Sequence, residues 1–171
     1  MLIRPALADD LARVAAVYDR EVSSGTATFD LEPRPLAAWE ERLASSAPGD
    51  HLLVAVDGDG GPDGALAGYA TSSPFRPKAG YRFTRETTIY LAPHAQGRGL
   101  GRRLYDELLA RLAADGMHLA LAAVALPNPA SLALHRACGF EEVGVMREVG
   151  HKHDRWLDVM WLQKRLDGAA G

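Results

Sequence analysis

Gln96-Gly97-Arg98-Gly99-Leu100-Gly101 lies between an apolar run, Thr88-Ile89-Tyr90-Leu91, and the segment Arg102-Arg103-Leu104-Tyr105-Asp106-Glu107-Leu108-Leu109. The order reads as strand, glycine-rich turn, helix. Without a Cβ, glycines let successive backbone N–H groups turn inward, and a helix N-terminus adds about half an elementary charge there. Such a turn is a cradle for a pyrophosphate. Arg98, Arg102 and Arg103 supply local positive charge in a chain whose formal net charge is only −3.

Spacing separates the known phosphate cradles. A P-loop needs Gly-Lys-Ser/Thr after the turn, and Gly101-Arg102-Arg103 does not supply it. A dinucleotide fingerprint needs Gly-x-Gly-x-x-Gly, and Gly97-Arg98-Gly99-Leu100-Gly101-Arg102 takes the wrong third step. The remaining pattern, Gln-x-x-Gly-x-Gly, resembles the acyl-CoA pyrophosphate loop of the GNAT N-acetyltransferase superfamily. Taken alone, these six residues also fit an ordinary strand–helix turn. A second segment, Asn128-Pro129-Ala130-Ser131-Leu132-Ala133-Leu134-His135-Arg136-Ala137-Cys138-Gly139-Phe140, resembles the Asn-x-x-Ser-x-x-Leu-x-x-x-x-Gly-Phe segment of the same superfamily. Asn128 suits a helix cap and Gly139 its C-terminal stop.

Composition agrees with an α/β domain. The chain has 171 residues, 47% of them apolar, and a single cysteine, Cys138. That length suits one domain, expected over 1–166, with 167–171 as a flexible tail. No apolar run is long enough to cross a bilayer, and Met1-Leu2-Ile3-Arg4-Pro5 lacks a signal-peptide layout. A cytoplasmic location follows as an expectation. The modest charge gives no reason to expect nucleic acid as a partner.

The remaining elements read in order. Leu2-Ile3-Arg4 starts a strand, and Leu11, Val14, Ala15, Val17 and Tyr18 lie on one helix face. Pro33 and Pro35 precede a second helix carrying Leu36, Trp39 and Leu43. Strands are expected over 51–56, 65–72, 87–91, 118–125, 142–147 and 156–163, with a hairpin connection over 57–64. The order implies a mixed, mostly antiparallel sheet flanked by helices. The resemblance implies the GNAT fold, in which two central parallel strands splay and the cofactor enters the gap. Here these strands end near Leu91 and Val124.

The same resemblance assigns a site. Acetyl-CoA is the implied cosubstrate, held by Tyr90, Leu91, Gln96, Gly97, Arg98, Gly99, Leu100, Gly101, Arg102, Asn128 and Ser131. Glu86, five residues before Leu91, is the candidate base for the attacking amine. The Leu91 N–H is the expected oxyanion donor. Many relatives carry a tyrosine acid where this chain has His135, so His135 is the second candidate for proton transfer. Tyr90 or Tyr105 is the alternative acid, although Tyr105 reads chiefly as helix packing.

A narrower resemblance spans nearly the whole chain. Ile3-Arg4-Pro5-Ala6, Thr26-Ala27-Thr28-Phe29-Asp30-Leu31-Glu32-Pro33, Pro74-Phe75-Arg76-Pro77-Lys78-Ala79-Gly80-Tyr81-Arg82 and Arg147 to Asp158 are similar to phosphinothricin acetyltransferases and to their methionine sulfone and sulfoximine relatives. It implies a small amino-acid-like substrate, resistance to glutamine-synthetase inhibitors, and a homodimer with pockets near the subunit interface. Arg76 and Arg82 are then candidates for the substrate's carboxylate or oxyanion end, and Phe29 for its aliphatic part. His151-x-His153-Asp154 lacks a further ligand pair, so no metal is expected; it reads as a loop near the pocket or subunit contact. Cys138 reads as a packing residue. Two other readings stay open: acetylation of a protein N-terminus or another amine, and a non-catalytic acyl-CoA sensor.

Overall fold

His51–Val56, Leu66–Pro74 and Leu119–Ala125 are nearly unbroken runs of apolar and small residues, and each forms a strand buried on both faces. They belong to a seven-stranded sheet in a computed structural model that describes residues 1–57 and 64–166. In chain order the elements are β1 (Leu2–Pro5), α1 (Leu11–Ser24), α2 (Leu36–Ala44), β2 (His51–Val56), β3 (Leu66–Pro74) and β4 (Thr84–Leu91). There follow α3 (Leu100–Ala114), β5 (Leu119–Ala125), α4 (Pro129–Ala137), β6 (Glu141–Lys152) and β7 (Arg155–Arg165). The strand order is β1-β2-β3-β4-β5-β7-β6, and among the described residues the only parallel pair is β4 with β5, joined through α3. The expected hairpin connection and tail fall largely or wholly outside the described residues.

Helices cover both faces. Leu104, Leu108 and Leu112 of α3 are fully buried, each contributing roughly 2 kcal/mol. They share a core with Phe140 and Leu162. On the opposite face α1 and α2 bring Tyr18 and Trp39 against Tyr69 and Tyr90, as three edge-to-face contacts near 5.5 Å and one tilted contact at 5.6 Å.

The parallel pair parts early. β4 and β5 are in register only from Thr84↔Leu119 to Glu86↔Leu121. At the point of divergence the Thr87 hydroxyl donates to the Leu121 carbonyl at 2.9 Å, so a side chain takes over from the ladder. The expected splay is present.

The last hairpin is longer than its sequence suggests. β6 continues to Lys152 through a register shift between Met146 and Gly150, where Glu148 adopts φ +49°. The Asp158 carboxylate holds this bulge, accepting from the Glu148 N–H at 2.8 Å and from Arg147 Nη1 at 2.6 Å. His151 is therefore a strand residue in tilted contact with Trp156, while His153 and Asp154, both at positive φ, make the turn.

Candidate active site

None of the backbone N–H groups from Gly97 to Arg102 donates to a described residue. The chain reaches α3 through Gly97 and Gly99, both at φ +72°, which an L side chain adopts only with strain. At both positions the space a Cβ would occupy is open. Gly101 is different: a Cβ there would meet Leu134 at 2.9 Å, so it allows α3 to approach α4. The loop is thus a set of free donors at a helix start.

β4 carries the site's other backbone donor. The Ala92 N–H bonds the Ala67 carbonyl at 2.9 Å, and Leu91 is paired with Gly68. By the alternation of an antiparallel ladder, the Leu91 N–H points away from β3, to the side that β5 has left. Tyr90 N–H, by the same alternation, points into the β3 ladder. Its hydroxyl donates to the Ala27 carbonyl at 3.0 Å. Tyr90 lines the cavity from the α1–α2 side, with its amide turned into the β3 ladder and its hydroxyl proton given to Ala27.

A cavity of about 680 Å³ runs through the gap. One end is walled by Gln96, Gly97, Gly99, Leu100, Gly101, Arg102, Asn128 and Ser131. Arg98 is exposed and does not line it. Asn128 caps α4 by accepting from the Ser131 N–H at 3.0 Å, and its Nδ2 has no partner among the described residues. Gln96 reaches the Leu91 carbonyl at 3.4 Å.

Glu86 and His135 line the same cavity from opposite faces of the sheet. Glu86 is opposite Ser73, and Thr88 opposite Thr71, so these side chains share the face covered by α1 and α2. The Glu86 carboxylate has no hydrogen bond among the described residues, and burial pushes its pKa up. Thr87 points the other way and approaches the Tyr105 hydroxyl at 3.4 Å. That hydroxyl lies 2.8 Å from His135 Nε2, while His135 Nδ1 lies 2.7 Å from the Ser131 carbonyl. Since a carbonyl only accepts, Nδ1 carries the proton and Tyr105 donates to Nε2. Burial pushes the His135 pKa down, so the ring is neutral at pH 7. Tyr105 thus does more than pack: it occupies the lone pair through which His135 would act as a base.

The substrate arginines also differ from expectation. Arg76 and Arg82 do not line the cavity; each lays its guanidinium on a neighbouring ring, Phe75 at 5.0 Å and Phe83 at 4.4 Å. Arg34 and Arg42 stand at the far end instead, with Tyr18, Trp39, Tyr69 and Thr71. Arg42 follows Trp39 by three positions, a spacing that puts it on the core-facing side of α2 and made it legible in principle. Phe29 does line the cavity, and Gly150 lacks the Cβ that would run into its ring. Buried Lys152 fixes the same wall by donating to the Glu21 and Thr28 carbonyls at 3.0 and 2.9 Å. Among the described residues no three His, Cys, Asp or Glu side chains gather as metal ligands.

A splayed parallel pair, a free-amide turn opening a helix and a capped second helix together define an acyl-CoA-dependent acyltransferase fold. The chain belongs to the acetyltransferase (GNAT) family, whose model matches residues 14–140. It is 42% identical to a phosphinothricin N-acetyltransferase of Streptomyces coelicolor, over 96% of this chain and 95% of that one. It is 39% identical to an L-methionine sulfoximine/L-methionine sulfone acetyltransferase of Pseudomonas paraeruginosa, over 96% and 94%. Among solved structures, a GNAT superfamily phosphinothricin acetyltransferase from Sinorhizobium meliloti in complex with AcCoA superposes with a TM-score of 0.90 at 39% identity, covering 99% of this chain and 91% of that one. The protein is an acetyl-CoA-dependent N-acetyltransferase.

Proposed function

We propose that the chain acetylates the α-amino group of a small amino-acid-like acceptor of the phosphinothricin, methionine sulfone or methionine sulfoximine type, by direct attack in a ternary complex. One observation carries this reading: a single cavity joins the free amides of residues 97–102 to a compartment walled by Glu86 and aromatic rings. The relatives' substrates agree with it.

Bound acetyl-CoA supplies an activated acetyl thioester; this chain's residues do the rest. The amides of 97–102, Arg102 and the Asn128 Nδ2 hold the cosubstrate's polar groups. Glu86, poorly solvated and unpaired, takes a proton from the acceptor's ammonium or from a water beside it, freeing the lone pair. Leu91 N–H donates to the carbonyl oxygen as it gains charge. Tyr105 gives its O–H proton to the departing sulfur on turning from His135 Nε2, which holds the hydroxyl beforehand, and the proton that the acceptor nitrogen sheds as the amide forms restores the phenol. His135 acts through Tyr105 rather than on the amine. We further propose that 1–166 folds as one unit, works in the cytoplasm and pairs into a homodimer.

Thiol release from acetyl-CoA, followed against methionine sulfone, methionine sulfoximine, phosphinothricin, common amino acids and peptide N-termini, tests the reading. Turnover concentrated on the first three is the expected result. Acetyl-CoA binding with no turnover on any amino acid would overturn it.

A further inference from the structure

Among the described residues that line the cavity, Arg42 is the cation with no carboxylate partner. Its Nη1 donates to Thr71 Oγ1 at 2.5 Å and to the Ser72 carbonyl at 3.1 Å, and the Thr71 hydroxyl in turn donates to the His51 carbonyl at 2.8 Å. The guanidinium is therefore fixed against β3. No Asp or Glu among the described residues pairs with it. Asp30 is engaged by Arg34 at 2.7 Å and by Tyr18 at 2.5 Å, and Asp50 lies 3.3 Å from Arg85. Nε and Nη2 of Arg42 have no protein partner among the described residues. Burial, and then the neighbouring Arg34 charge, push its pKa down, as expected where two cations share one compartment with too little negative charge. A desolvated cation without a counter-ion is costly, and an anionic ligand offsets that cost.

Position decides which anion. Thr71 is opposite Thr88, which makes Glu86 its diagonal neighbour on the same face, roughly 7 Å away in a regular ladder. The amine and carboxylate of an α-amino acid sit on one carbon, so a carboxylate at the guanidinium leaves the amine beside Glu86. Arg42 also borders a smaller cavity of about 220 Å³, but Asp50 lines that one and repels an anion. Thr71 faces only the larger cavity.

We propose that Arg42 is the specificity-determining residue that binds the acceptor's α-carboxylate and so presents its amine to Glu86. The inference rests on the amino-acid acceptor class proposed above. Its test is steady-state kinetics at saturating acetyl-CoA with acceptor pairs that differ only in the carboxylate. One pair is methionine sulfone and 3-(methylsulfonyl)propan-1-amine; the other is phosphinothricin and its carboxyl-free aminoalkyl phosphinate. Wild type should favour the acid member, and Arg42→Met should raise the KM of the acid member about 30- to 100-fold. The carboxyl-free amines should change little, and Arg42→Lys should recover part of the preference. Acetyl-CoA affinity and melting temperature, measured for both variants, verify that the site is intact. Equal losses on acid and carboxyl-free acceptors, or losses that track the phosphinate, would overturn the assignment. Wild-type inactivity on every amino acid would instead defeat the acceptor class, so the two failures are separable.

Discussion

Glu86 holds a carboxylate where solvation is poor and no donor among the described residues compensates it, and two consequences follow at the scale of this one residue. Glu86→Gln keeps the shape and removes the base, so kcat should fall about 100-fold while calorimetric acetyl-CoA affinity stays unchanged. Near-normal turnover would move the base elsewhere. The second consequence concerns pH. Burial raises the carboxyl pKa, so the folded state holds this proton more tightly than the unfolded chain does. The folded state is thus penalised once the group ionises, as pH rises above the unfolded value and through the folded one. Glu86→Gln should raise the melting temperature at pH 8, with the gain vanishing toward pH 4. Wild-type kcat/KM should show an acidic limb above the ordinary glutamate range, absent from the variant. Opposite signs for rate and stability mark a residue kept for chemistry.

At the scale of elements, the turn into α3 can be tested without touching the reacting groups. Gly99 lies at φ +72° with open space at its Cβ position, so Gly99→Ala introduces no clash, only backbone strain of roughly 1–2 kcal/mol. Relief of that strain would turn the loop's N–H groups away, and acetyl-CoA affinity should drop about tenfold, as read by calorimetry. An unchanged affinity would show that these amides do not grip the cosubstrate. This turn was legible because its conformation demands particular residues: glycine at positive φ, asparagine at the α4 cap, glycine again at φ +82° after Cys138. The β6 extension was hidden for the converse reason. A bulge at Glu148 breaks the two-residue alternation, so the polar stretch before Lys152 does not read as strand. The acceptor compartment was harder still. Arg76 and Arg82 are adjacent in sequence to the rings they stack on, whereas Arg42 reaches the cavity only because α2 packs across β3. Local spacing encodes turns and caps, while a pocket assembled from separate elements depends on their packing.

Across the whole molecule the two sheet edges differ. β1 is four residues long, but β6 runs for twelve as the other edge, with Val143, Met146 and Val149 exposed and Trp156 of β7 64% exposed beside them. A long apolar edge left bare invites pairing with another chain. Of the two edges, β6 is the one suited to the homodimer proposed above. The far end of β6 also supports the acceptor compartment: Gly150 accepts the Phe29 ring, Lys152 holds the Thr28 carbonyl, and the neighbouring turn residue His153 reaches the Gly25 carbonyl at 3.2 Å. Subunit pairing on this strand should therefore stiffen the acceptor wall while leaving the loop at 97–102, on the other side of the gap, untouched. Sedimentation at micromolar concentration should give about twice the 18.4 kDa chain mass. A Met146→Glu, Val149→Glu double variant should sediment as a monomer, because paired edges would bury these carboxylates without partners. That monomer should show an acceptor KM raised about tenfold with acetyl-CoA affinity unaltered. A monomeric wild type, or a double variant that stays dimeric, would rule out the β6 edge. A monomeric variant with normal acceptor KM would separate pairing from the pocket.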